Sequence, residues 1–234
     1  MKKDCELRKE KLPGNNGVME GREKPISRRQ LKEALLERYT PEMYEKISGS
    51  SAAIAGLGGL GSQIAVMLTR AGVGKLFLVD FDRVELTNLN RQAYDISHLG
   101  RLKTEALLEI LKKINPYLEV TAAAEKVTAE NAGSFFREYP ILCEAFDNPE
   151  QKAILVNTVL DQCPKTTVIS GSGMAGVSSA NSIATRRKMK RLYLCGDGVT
   201  DLDEATCLMP SRVMVCAAHQ ANMAIRLMLG KEEV

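Results

Sequence analysis

The sequence predicts an α/β chain of the Rossmann-like, doubly wound type, with a largely parallel sheet and additional C-terminal strands for which an antiparallel setting is open. Three observations predict it. Short apolar runs alternate with amphipathic helical stretches from about residue 52 to residue 229. A glycine turn, Gly56-Leu57-Gly58-Gly59-Leu60-Gly61, joins the first run to a helical pattern. Carboxylates and small polar residues gather just after the runs, where strand ends and helix starts converge in such a sheet.

In order along the chain, residues 1–28 hold Pro13-Gly14-Asn15-Asn16-Gly17 among charges, a composition that favours a mobile or loosely packed arm and leaves 29–234 as one domain. Leu31, Leu35, Leu36 and Tyr39 fall at helical spacing until Pro41 interrupts, which predicts one or two short leading helices. Strand AAIAG then precedes a helix from Gly61 to about Ala71, and strand KLFLVD precedes a helix over Lys103 to Ile114. LEVTAAAE, ILCEAF and TTVISGS read as the next strands, separated by helices near Ala129–Glu138 and Glu150–Asp161. SIATRRKMKRLYLCGD reads as one or two further strands, and Val213 to Leu229 as a closing helix.

Composition narrows the functional classes. With 234 residues, 44% of them hydrophobic, one generous core is affordable. The net charge of +3 is spread along the chain, so nothing calls for nucleic acid. No stretch has the apolar length of a secretory signal or of a membrane span, and a cytoplasmic protein is expected. Cys5, Cys143, Cys163, Cys195, Cys207 and Cys216 form no CxxC pair, so reduced thiols are expected and zinc is not.

The glycine turn offers backbone N–H groups and a helix dipole to a phosphate, and Asp80, closing the second strand, is placed to accept hydrogen bonds from ribose hydroxyls. A nicotinamide-dependent oxidoreductase would be consistent with both. The stretch VDFDRVELTNLNRQ adds Asp82, Asn88 and Arg91, and HLGRLKTEAL adds Lys103. Two cations on the phosphate edge suit a triphosphate better than a dinucleotide. Asp147, in CEAFDNPE, adds a carboxylate of the kind that holds Mg²⁺. Singly, each residue is also explained as a solvated surface charge or a helix cap. Together they define a nucleotide site with Mg²⁺, with the oxidoreductase and a non-catalytic nucleotide-binding module as alternatives.

The stretches GLGGLGS (56–62), AGVGKLFLVDFDRVELTNLNRQ (71–92), GRLKTEAL (100–107), INPYLEV (114–120) and AFDN (145–148) resemble the ThiF family of adenylyltransferases, related to the molybdopterin-synthase activating and ubiquitin-activating enzymes. The short length without zinc cysteines is similar to the compact branch of the thiamine pathway. The resemblance implies that Gly56, Gly58, Gly59, Leu60 and Gly61 bind ATP phosphates, Asp80 binds the ribose, and Asp82 belongs to the same nucleotide site. It further implies that Asn88, Arg91 and Lys103 hold the triphosphate and Asp147 the magnesium, with Arg91, Lys103 and Asp147 carrying catalysis. The implied reaction is adenylylation of the C-terminal glycine of a ThiS-like, ubiquitin-fold sulfur carrier ending in Gly-Gly. A homodimer and a separate sulfur donor are implied too, since no sulfurtransferase domain follows residue 234. A molybdopterin-pathway carrier or a tRNA-linked acid is the alternative substrate.

Some positions depart from the family pattern. Pro41, in Arg38-Tyr39-Thr40-Pro41-Glu42, stands where relatives carry an arginine that reaches the partner's active site. Cys207 lies near the place where some relatives use a cysteine for sulfur or carrier contact, and an incidental thiol is the alternative; Cys195 reads as structural. His98 and His219 read as caps or packing residues, and Ser170-Gly171-Ser172-Gly173 either lines a channel for the carrier tail or is a flexible turn.

Overall fold

A computed structural model describes residues 26–200 and 207–234. The expected N-terminal arm, up to residue 25, and part of the loop before the closing helix lie outside the described residues.

Helix α1 (Arg28–Leu36) starts on a capping box in which Ser27 and Gln30 satisfy each other's backbone N–H groups. Pro41 does not break a longer helix. It opens α2 (Pro41–Ser48) at the first helical position, after the Thr40 cap, where its missing N–H costs nothing. The βα units follow: β1 (Ser51–Ala55), α3 (Gly59–Arg70), β2 (Lys75–Val79), α4 (Lys103–Ile114), β3 (Glu119–Ala123), α5 (Ala129–Phe136), β4 (Ile141–Glu144), α6 (Pro149–Gln162) and β5 (Thr167–Gly171). The chain closes with the hairpin β6 (Ala184–Met189) and β7 (Leu192–Gly196), and with α7 (Pro210–Met228). Helix α7 begins before the expected Val213 because Pro210 provides its first turn, and α3 begins at Gly59, within the glycine turn.

The seven strands lie in the order β3-β2-β1-β4-β5-β7-β6. All pairs are parallel except β6–β7, so β6 is the antiparallel edge strand. Strand alternation divides the core in two. Ala52, Ile54, Leu76, Leu78, Cys143 and Ile169 face α3, α4 and α7, while Ala53, Ala55, Val79, Leu142 and Val168 face α5 and α6. The strand order reverses between β1 and β4, which opens a crevice at their C-terminal ends.

Candidate functional site

A cleft of about 860 Å³ occupies that crevice. Its walls come from the glycine turn after β1, the Asp80–Arg83 segment after β2, the Ala145–Asn148 turn after β4, the Gly171–Ala175 loop after β5 and residues 198–200 after β7.

Local packing explains the glycines. Gly56 has φ +86°, and a Cβ there would lie 2.9 Å from the Ala145 carbonyl oxygen, so β1 and β4 could not approach as they do. At Gly61 a Cβ would lie 1.8 Å from the Gly56 carbonyl oxygen, which fixes how closely α3 follows the turn. Gly56, Gly58, Gly59 and Leu60 line the cleft, whereas Gly61 does not. Gly61 is the residue on which the helix packs against the turn. No side chain caps α3, so the first-turn amides keep their anion-binding capacity beside the cleft.

Asp80 is 8% exposed and lines the cleft. Its carboxylate accepts from Leu57 N at 2.6 Å and Asp82 N at 2.8 Å. Burial pushes its pKa up, against the opposing effects of the Lys103 charge and the two amides. Asp82 ion-pairs with Lys103, Oδ2 to Nζ 2.8 Å, and the lysine side chain is 7% exposed. Arg91 donates to Thr87 O and Asn90 Oδ1, and has no carboxylate partner among the described residues. Asn88 accepts from Glu85 N through its amide oxygen, which leaves the amide N–H groups available. Asp147 is exposed at the cleft mouth and accepts no hydrogen bond from the described residues. All six side chains line the one cleft. A hard oxygen donor without a competing cation fits Mg²⁺, although among the described residues no group of three His, Cys, Asp or Glu side chains is placed around a metal.

Other expected residues fall outside the cleft. Cys207 is half-buried, its carbonyl accepting from Gly176 N, and its side chain is not among the lining groups. Cys195 is buried, and burial raises its thiol to about 11. His98 is buried with Nδ1 against Asp95, and His219 Nδ1 meets Thr185 Oγ1 at 3.0 Å, so both pack or cap. In the 170–173 segment, Gly171, Ser172 and Gly173 line the cleft, while the Ser170 hydroxyl turns inward to Glu144.

Two charge pairs beside the cleft escaped the sequence reading. Glu144, fully buried at the end of β4, binds Lys152 Nζ at 2.5 Å. Asp197 and Arg212, 5% and 3% exposed, pair at 2.6 Å and join the loop after β7 to the start of α7. A signal for the first existed: a glutamate in the otherwise apolar strand ILCE must be paired if buried. None marks the second, whose partners lie fifteen residues apart in different elements.

The ThiF family profile matches residues 29–234. Among curated proteins, the chain is 34% identical over 137 residues to the tRNA threonylcarbamoyladenosine dehydratase of Haemophilus influenzae, covering 58% of this chain and 52% of that one. It is 35% identical over 118 residues to the sulfur carrier protein adenylyltransferase of Thermus thermophilus, covering 50% and 44% respectively. The matched region thus spans about half the length of these curated relatives. Among solved structures, the E. coli tRNA N6-threonylcarbamoyladenosine dehydratase TcdA in complex with ATP superposes with a TM-score of 0.77 at 21% identity, over 86% of this chain and 95% of that one. That likeness is one of fold.

Proposed function

The chain belongs to the ThiF family, and from that premise we propose that it activates a carboxylic acid by ATP-dependent adenylylation. The observation that carries the reading is the gathering of the uncapped α3 amides, Asp80, Arg91, Lys103 and Asp147 along one cleft. Two cations with a further carboxylate suit a triphosphate better than a dinucleotide.

In this reading ATP lies with its ribose hydroxyls donating to Asp80 and its phosphates against the amides of Gly58, Gly59 and Leu60. Asn88, Arg91 and Lys103 bind the triphosphate, with Asp82 keeping the Lys103 ammonium aimed at it. A carboxylate oxygen of the acid attacks the α-phosphorus, the bond from that phosphorus to the bridging oxygen breaks, and pyrophosphate leaves with the electron pair. The acid is already ionised at neutral pH and needs no general base, so the side chains act by placement and charge neutralisation. Mg²⁺ held through Asp147 would supply further neutralisation of the phosphates.

The acid we propose is the C-terminal glycine of a ThiS-like carrier ending in Gly-Gly, acted on by a cytoplasmic homodimer, with the sulfur coming from a separate donor. The Thermus relative supports this choice. A tRNA-linked acid is the second reading, favoured by the dehydratases among the relatives and neighbours. ATP–pyrophosphate exchange with Mg²⁺ separates them. Carriers from the thiamine and molybdopterin pathways and a threonylcarbamoyladenosine-bearing tRNA are supplied in turn. Exchange only with the thiamine carrier is expected; exchange only with the tRNA would replace the carrier reading, and none with any acid would remove adenylylation of these substrates.

A further inference from the structure

The β4–β5 side of the cleft contains an ionic cluster that the nucleotide assignment leaves unused. Glu144 ends β4 and is fully buried. In the parallel register it lies beside Ser170 of β5, whose hydroxyl donates to Glu144 Oε2 at 2.5 Å. The same oxygen accepts from Lys152 Nζ at 2.5 Å, and Oε1 accepts from Phe146 N at 2.7 Å. Both oxygens of this carboxylate are thus engaged, by three donors, on the wall that carries Lys152 and the turn before Asp147.

Lys152, in the first turns of α6, lines the cleft with its side chain 24% exposed. An ammonium has three N–H donors, and Glu144 is its one recorded partner among the described residues. The other cations lining the cleft, Arg83, Arg91, Lys103 and Lys126, come from the segments after β2 and β3 and from α4, across the crevice from β5. The glycine-rich exit of β5, Gly171 to Gly173, lines the same cleft, and at Gly171 and Gly173 it presents backbone without a side chain. The walls therefore differ in chemistry: amides and cations on one, a paired lysine and glycines on the other.

We propose that Lys152 donates hydrogen bonds to the oxygen of the acid being activated, and that Glu144 is the positioning residue that holds it there. The inference rests on the adenylylation reading and names the acid-binding wall of that site. A lone ammonium would pair with the incoming carboxylate and blunt it as a nucleophile. A lysine already neutralised by Glu144 offers directed N–H groups with little net charge, which suits both the carboxylate before attack and the acyl carbonyl after it. Ser170 and the Phe146 amide keep the glutamate from swinging with its partner.

The test is binding, so it does not depend on turnover. Affinities for AMP and for 5′-O-(glycylsulfamoyl)adenosine, a stable mimic of a glycyl adenylate, are measured calorimetrically, and the change in their ratio between variants, in which the phosphate-for-sulfamoyl difference cancels, reports the acyl contact. The wild type is expected to prefer the acyl analogue. Lys152→Met should lower that preference about tenfold, while AMP affinity stays within about twofold. Glu144→Gln should lower it similarly, and the double variant should be no worse than Lys152→Met, because both act through one ammonium. Lys152→Arg, which keeps charge and donors, should retain most of it. An unchanged ratio in Lys152→Met, or losses that multiply in the double variant, would overturn the proposal. If Glu144→Gln does not fold, the contrast between Lys152→Met and Lys152→Arg decides. A wild type indifferent to the acyl group also overturns it, whatever pyrophosphate exchange shows. A wild type that prefers the analogue yet exchanges with no acid overturns the substrate assignment and leaves the Lys152 contact standing.

Discussion

Replacing Asp197 by asparagine tests how the rim of the cleft is held. The Asp197 carboxylate accepts from Val199 N at 3.0 Å, from Thr200 N at 2.9 Å and from the Thr200 hydroxyl, and pairs with Arg212 at 2.6 Å. Arg212 in turn donates to Ser178 O and Ser179 O, so one pair ties the loop after β7, the 178–179 segment and α7 together. Burial works to raise the Asp197 carboxyl, but the Thr200 and Val199 donors and the Arg212 charge outweigh it, and the group falls from 3.8 to about 2. A depressed carboxyl contributes stability that is present above its unfolded value and lost as pH falls through the folded one. That fall of just under two units corresponds to about 2 kcal/mol, lost between about pH 4 and about pH 2. At neutral pH Asp197→Asn leaves the buried guanidinium without a counter-charge and should cost about 3–5 kcal/mol. Urea unfolding of both proteins at a series of pH values measures the gap. It should narrow by about 2 kcal/mol on acidification, because only the wild type has the carboxylate to lose. A gap that stays constant across that range would refute the assignment of the acid limb to this pair.

Three further outcomes follow from the geometry. Asp147→Asn should lower pyrophosphate exchange about 10²-fold, and near-wild-type turnover would remove its proposed role. Gly61→Ala places a methyl 1.8 Å from the Gly56 carbonyl oxygen. Helix α3 must then shift, with an expected loss above about 3 kcal/mol in urea unfolding; a loss below about 1 kcal/mol would show that the turn yields freely. Burial raises the thiols of Cys195 to about 11 and Cys216 to about 12, and drives Cys143 up as well. Iodoacetamide mapping of the native protein at about pH 8 should therefore modify Cys207 first among the described cysteines, and early labelling of the four buried ones, Cys143, Cys163, Cys195 and Cys216, would contradict their packing.

The elements legible in the sequence are those whose signals are local. The helix over Lys103–Ile114 and the strands around it stand where period and apolar runs put them. The half of the cleft proposed for the nucleotide was readable too, because the glycine turn and Asp80 sit at strand ends and Asn88 and Arg91 share one short stretch with Asp82. Harder to read were boundaries set by proline chemistry. Pro41 and Pro210 each open a helix, and only the Thr40 cap in the first case gives a local sign of it. The direction of β6 also has no local signature: Arg186 to Met189 alternate no differently in a parallel or an antiparallel edge.

The opposite wall was illegible for a different reason. Glu144, Lys152 and Ser170 meet because β4 and β5 are register neighbours and α6 folds back over them, none of which is written within one segment. Asp82 shows the same limit from the other side. Its position after β2 reads as a ligand contact, yet its carboxylate is spent on Lys103, a lysine too buried to stand unpaired. A bound triphosphate would share that ammonium with Asp82 and inherit an orientation already set. The cleft thus carries the same device twice, a carboxylate fixing a lysine at its edge. One lysine, 103, lies on the side proposed for the phosphates and the other, 152, on the side proposed for the acid. Sequence reading placed Asp82 and Lys103 at the site from two separate stretches, 79–92 and 100–107, yet it missed their pairing for the same reason it missed Glu144 with Lys152: each ion pair exists only once the sheet has formed.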